Sequence, residues 1–214
     1  MKIRIAQVSS DGVPYAVFSY VALVPWTYFS TSVTVSATSL ISQVDVLTKV
    51  YFPRLIFPLS PVFSNLVDFV IALSLTGLFL LWYGIVPTVQ VFVLPLLVVL
   101  MMLTAGGFGM WLSALAIQYR DVKYATPFLT QLLMYAAPVV WPVSALTERF
   151  GDTARLLYGL YPMVGVIEGF RSALLGTNPM PWDIIVTGYF TAVLVFVTGA
   201  LYFKRMERRF ADVA

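Results

Sequence analysis

The sequence contains no cysteine and no histidine. Disulfides, thiol nucleophiles, Cys/His metal sites and a Ser-His-Asp triad are therefore excluded. Charge is scarce as well. Only 11% of residues are charged, while 60% are hydrophobic and mean hydropathy is +0.89. A soluble domain of 214 residues needs a polar skin, and this chain has too few polar residues to make one. The composition is that of an integral membrane protein. The net charge of +3 is small and gives no argument for a nucleic-acid partner. The opening "MKIRIAQVSSDG" is basic but has no apolar core before Asp11, so it does not read as a signal peptide.

What is abundant is uncharged length. Gly12 to Val44, Phe69 to Tyr119, Tyr124 to Thr147 and Ile184 to Phe203 carry no charge. Lipid cannot satisfy backbone amides, so helices are the expected spanning elements. The runs are continuous rather than alternating, which disfavours a barrel. "YGIVPT", Tyr83 to Thr88, reads as a turn that splits the longest run. The expectation is an all-α polytopic membrane protein with five spans, roughly 16–40, 58–82, 91–117, 125–146 and 184–203.

Lysine and arginine set the sidedness. One side collects Lys49, Arg54, Arg120, Lys123, Lys204, Arg205, Arg208 and Arg209. The other has Arg149, Arg155 and Arg171, with Lys2 and Arg4 at the start. The richer side is assigned to the cytoplasm, together with the C-terminus. An odd span count then places the N-terminus outside, an awkward topology that suggests a helix missing from the front.

Three segments, one acidic residue and a set of aromatics are candidates for function. In "LTKVYFPRLIFPLSP", Leu47 to Pro61, a short helix over Asp45 to Phe52 is expected, with Ser42 as its N-cap. Pro53 would end it, and Pro58 and Pro61 would turn the chain into the next span. Its basic and aromatic face, Lys49, Tyr51, Phe52 and Arg54, reads either as a positive-inside loop or as a docking surface for a cytosolic partner. Leu146 to Trp182 is too long and apolar for a plain loop. It predicts two short outer helices, one over Thr153 to Leu160 and one after Pro162. In the second, Met163, Val166, Ile167, Phe170 and Leu174 share a face, and Glu168 pairs with Arg171 on the polar side. Gly176 suits its C-terminus. This hairpin is either a passive amphipathic surface element or a lid on an outward exit.

Asp68 falls about 15 Å into its span, at 1.5 Å per residue, and needs a proton or a partner such as Ser64, Asn65 or a polar group on another helix. "AGGFGMWLSAL", Ala105 to Leu115, is no phosphate loop; its glycines point to close helix approach or a bend. Trp26, Tyr28, Trp82, Tyr83, Trp141 and Trp182 fit a membrane aromatic belt, while Trp26, Tyr28, Tyr135 and Trp141 are also candidates to stack on sugars along a glycan path.

"LTKVYFPRLIFPL", "WLSALAIQYRDVKYATPFLTQ", "APVVWPVS", "GVIEGFRSALLG" and "FKRMERRFADVA" together resemble the permease subunit of polysaccharide-exporting ABC transporters, O-antigen exporters above all, with capsule and teichoic-acid exporters as relatives. The likeness runs from about Ser10 to the end. It implies a single permease domain over 1–214, with a coupling helix in 42–56 and an outer gate region in 147–182. It also implies six spans in the complete family fold, so that this chain would be truncated at its N-terminus. The implied gate residues are Tyr161, Pro162, Glu168, Phe170 and Arg171. Asp45, Lys49, Tyr51, Phe52 and Arg54 would dock an ATPase. The implied partners are a second copy, two ATP-binding subunits, membrane lipid and a glycan on a lipid-diphosphate carrier. The chain itself would hold no metal or other cofactor, with ATP and magnesium bound by the ATPase, and would sit in a bacterial inner membrane. Tyr161 departs from the family's "NPM" pattern and alters a helix cap. A secondary transporter and a membrane enzyme acting on lipid-linked sugar are the alternatives. The first needs intramembrane ionisable groups, of which only Asp68 qualifies. The second needs several acids at the membrane face, and the acids here are scattered.

Overall fold

The computed structural model describes residues 13–43 and 53–210, without the side chains of 145, 148–150, 152 and 208–210. The described residues form helices joined by short turns: α1 (Tyr15–Ser42), α2 (Ile56–Trp82), a 3-10 turn (Val89–Val93), α3 (Leu94–Gln118), α4 (Val122–Ala136), α5 (Val143–Gly159), α6 (Pro162–Leu175) and α7 (Trp182–Phe210). Among the described residues, three stretches are long and apolar enough to cross a membrane: Ile56–Trp82, Val89–Gln118 and Trp182–Glu207. α1 is as long but rich in serine and threonine. Lipid offers these hydroxyls nothing, and several donate back to their own helix, as Thr34 does to Ser30 O at 2.7 Å and Ser39 to Ser36 O at 2.7 Å.

α1 and α3 form the centre. Ser36 of α1 lies so close to α3 that a Cβ on Gly109 would sit 2.7 Å from the Ser36 Cβ. α3 packs as tightly on α7, where a Cβ on Gly107 would meet Phe196 N at 2.8 Å. Small residues at these crossings let backbones approach. The glycines of the 105–115 stretch thus serve packing, and α3 continues through them as one helix. Outward faces are apolar: Phe63, Val67, Val70 and Leu78 on α2 and Val186, Phe190 and Leu201 on α7 are exposed. This is the pattern of a helix bundle solvated by lipid.

The Tyr83–Thr88 turn forms as expected. Gly84 has φ +69°, its N–H meets Leu81 O at 3.0 Å, and Ile85 N–H meets Leu80 O at 3.0 Å. That is a Schellman closure, which needs a residue free to adopt the left-handed region. Ser42 is the last residue of α1, and its hydroxyl donates back to Ser39 O. Pro58 and Pro61 stand inside α2 rather than ahead of it. Pro58 falls in the first turn, where no helical N–H is required. Two α1 hydroxyls straddle Pro61: Ser36 donates to Pro58 O at 2.7 Å and Tyr28 to Val62 O at 2.6 Å.

The fourth expected span, 125–146, does not form as one helix. α4 has 15 residues, about 22 Å long, against a hydrocarbon core of about 30 Å. Ala137 is extended at φ −83°, ψ 152°, because a residue before proline is pushed out of the helical region. The helix restarts only after Pro142, also extended. α5 then kinks at Gly151, φ +78°, so its second half matches the short helix expected over Thr153 to Leu160.

The helix ends sort into two groups. Leu40, Phe57, Met110, Ala114, Phe203 and Met206 cluster at one end, beside Arg54, whose Nη1 donates to Glu207 O at 3.2 Å. The Arg120–Lys123 turn follows α3 at the same end. Tyr15, Thr88, Val140, Arg155, Arg171 and Asp183 gather at the other, linked by the contacts described next.

Candidate functional site

A broken helix is costly in a membrane protein because it frees backbone groups that lipid cannot bond. The 137–142 break is satisfied by side chains from three helices. The Tyr158 hydroxyl of α5 donates to Ala136 O at 2.6 Å. Arg171 Nη2 of α6 donates to Val139 O at 2.8 Å. The Tyr15 hydroxyl of α1 donates to Val140 O at 3.5 Å. Val143 N–H donates to Glu168 Oε1 at 3.4 Å. Glu168 and Arg171 pair at 2.8 Å, three residues apart as their spacing implied.

The setting of that pair corrects the sequence expectation. α6 has no polar outer face, since every residue from Pro162 to Leu175 is buried. Arg171 is 3% exposed and Glu168 8%. Arg171 also stands over the Phe18 ring of α1, 3.6 Å from its centroid. A charge so enclosed is tolerable only because the guanidinium is matched at once by a carboxylate, a carbonyl and an aromatic face. α6 is buried all round because α3, α1 and α7 enclose it: a Cβ on Gly169 would lie 2.7 Å from Leu97, and one on Gly165 3.3 Å from Ile185 Cα. Phe170 packs edge-on against Phe69 at 5.9 Å. Gly176 closes α6 at φ +65°, as expected, and touches Thr88 of the turn before the 3-10 helix.

The rest of the hairpin is pinned more loosely. Arg155 Nε pairs with Asp183 Oδ2 at 3.0 Å, both partly exposed. We expect Asp183→Asn to lower thermal stability by less than about 1 kcal/mol, as such pairs generally do. Tyr161 holds the N-cap position of α6 without a capping bond, and its buried hydroxyl finds no partner among the described residues. Burial pushes this hydroxyl's pKa up, with Tyr158 adding to the effect. Tyr161→Asn would give α6 the cap it lacks, about 1 kcal/mol, but it removes a ring packed against two core clusters, a loss of about 3 kcal/mol; a lower melting point in detergent is the expected result.

Other candidates fall elsewhere. Asp45, Lys49, Tyr51 and Phe52 lie outside the described residues. Arg54 is described and partly occupied by the α7 carbonyl. Asp68 is exposed and borders a groove of about 400 Å³ with Tyr20, Thr27, Tyr28, Thr31 and Asn65. The amide expected to serve it, Asn65, donates instead to Ser32 Oγ at 3.1 Å. Trp26 and Tyr28 are not belt residues: both are buried mid-helix, Trp26 against Phe29. That leaves Trp26 no face for a sugar. Trp141 stacks on Tyr158 at 5.6 Å, and Tyr135 is exposed. Trp82, Tyr83 and Trp182 are exposed at helix ends, as a belt requires.

Residues 9–175 match the family model described as ABC-2 type transporter. The chain belongs to the ABC-2 type transporter family. It is 30% identical over 192 residues to the O-antigen export system permease protein RfbA of Myxococcus xanthus, covering 89% of this chain and 73% of that protein. It is 26% identical over 200 residues to a Klebsiella pneumoniae protein of the same description, covering 93% and 75%. ABC-2 membership sets aside the secondary-transporter and membrane-enzyme readings. The ABC-2 match spans α1 through the end of α6, so the 137–142 break and its Glu168–Arg171 clamp lie inside the family domain.

Proposed function

We propose that this chain is the channel-forming permease subunit of an ABC exporter that moves a lipid-linked, O-antigen-like polysaccharide across the bacterial inner membrane. The observation that carries the reading is the likeness to O-antigen export permeases over about nine-tenths of the chain. In this reading α1, α2, α3, α4 and α7 are the five spans, with the short α4 completed by the broken backbone and α5. α5 and α6 form the outer gate. The cluster around Leu40, Phe57 and Phe203 lies at the cytoplasmic end, with the C-terminus. Two copies form the path, and two separate subunits bind and hydrolyse ATP with magnesium. The basic segment ending at Arg54 docks them.

The test is capture. The chain is co-expressed with a candidate ABC ATPase from its own genome and purified by a tag on the permease. Recovery of that ATPase is the expected result, reduced about tenfold or more by Tyr51→Ala or Lys49→Glu, as for anchors of a docking surface. Equal recovery with both variants would remove the docking assignment. Recovery of no ATPase would remove the exporter reading.

A further inference from the structure

The break at 137–142 is tied not only to its own hairpin but also to the first turn of α1. Phe18 is 1% exposed and lies under the Arg171 guanidinium. Tyr15, one turn earlier, stacks on Phe18 at 6.4 Å and reaches Val140 O. Arg171 holds the carbonyl on one side of the break, while its ion-pair partner Glu168 holds the amide on the other. The two flanks of the break and α1 therefore meet on one buried ion pair. α1 continues from there as one helix to Ser42, passing Pro25, which removes one helical N–H. The stretch from Phe18 to Ser42 rises about 36 Å at 1.5 Å per residue, enough to cross a bilayer core of about 30 Å.

We propose that Arg171 and Phe18 form a joint through which α1 passes displacement at its far end to the 137–142 break and the outer hairpin. This rests on the exporter reading, in which the far end of α1 leads into the ATPase-docking segment. A close-packed, charge-paired joint moves as a unit or lets go; it does not stretch. Arg171 offers three contacts in fixed directions, and lysine, a point charge without the planar fork, cannot reproduce them. Phe18 is the α1 side chain that Arg171 stands over, and its loss leaves the ion pair itself intact.

The absence of native cysteine makes the test clean. Ser144→Cys places a thiol on an exposed residue one position after Val143. In the purified permease–ATPase complex in lipid vesicles, its modification by a membrane-impermeant maleimide is timed without nucleotide and with ATP plus vanadate. In the otherwise unaltered chain the two rates should differ by about fivefold or more, the lower range of allosteric coupling. In Phe18→Leu and Arg171→Lys the ratio should fall to about one while assembly and ATP hydrolysis persist, which a merely structural role for these side chains would not produce. Phe18→Leu keeps an apolar side chain of similar bulk and guards against the case in which Arg171→Lys fails to fold. A ratio that survives in Phe18→Leu overturns the joint alone, as does a hydrolysing complex whose unaltered chain gives a ratio of one. A chain that captures no ATPase overturns the exporter reading and the joint with it.

Discussion

Gly107→Leu should remove the folded protein from the membrane. A Cβ at this position would lie 2.8 Å from Phe196 N, 2.9 Å from Phe196 Cα and 2.9 Å from Val195 C. All three are backbone atoms of α7, so no rotamer change relieves the clash. The approach is reciprocal: a Cβ on Gly199 would lie 2.7 Å from Gly107 O. Any side chain therefore forces α3 and α7 apart, loosening the Trp111–Tyr202 stack at 4.6 Å and the Trp111 bond to Thr198 beside it. Overpacking by a few atoms costs about 1–3 kcal/mol where side chains can adjust, and here only helices can. Even Gly107→Ala should lower the melting temperature measurably. The control is Gly77→Ala on the lipid-facing helix α2. A Cβ there meets nothing within 4 Å, and alanine gains about 1 kcal/mol of helix propensity. Size-exclusion profiles and thermal melts of detergent-solubilised protein should separate the two: aggregation or no yield for Gly107→Leu, and an unchanged or higher melting point for Gly77→Ala.

Arg171→Leu should cost about 3–5 kcal/mol, the range for removing one partner of a buried pair. The loss strands Glu168 in the core and leaves Val139 O without its donor. Glu168→Leu strands Arg171 in the same way. The double variant Arg171→Leu/Glu168→Leu should be less destabilised than the sum of the singles, because no uncompensated charge remains. It should not return to the starting stability, since the bonds to Val139 O and Val143 N–H are gone. Additive singles would show that the two residues do not act as a pair. Thermal melts of the four proteins form the cycle.

What the sequence made legible was local. The helical fold, the turn at Gly84, the stop at Gly176, the close approach of the 106–109 glycines and the spacing of Glu168 and Arg171 all follow from a residue and its near neighbours. What it hid depends on where helices meet. Apolar length across 125–146 suggested a full span, although Pro138 and Pro142 break it; hydropathy weighs side chains and ignores lost backbone bonds. α6 looked amphipathic because its two charges fall together, yet α1, α3 and α7 enclose it entirely. Tyr15, Phe18 and Tyr158 drew no attention as residues of a site. Tyr15 and Phe18 are more than 120 positions from their partners across the break, and nothing in their own surroundings marks them. The prolines of "APVVWPVS" were the signal that could have found the break, and with it the need for donors such as Arg171.

In the proposed function this chain conducts a lipid-linked glycan when a separate subunit hydrolyses ATP. The most direct measurement is the appearance of that glycan on the outer face of the inner membrane in cells carrying the chain with its ATPase. The permease with active ATPase should expose the glycan. The same permease with an ATPase unable to hydrolyse ATP should leave it on the cytoplasmic face. Equal exposure with active and inactive ATPase would show that hydrolysis does not drive the glycan through this chain.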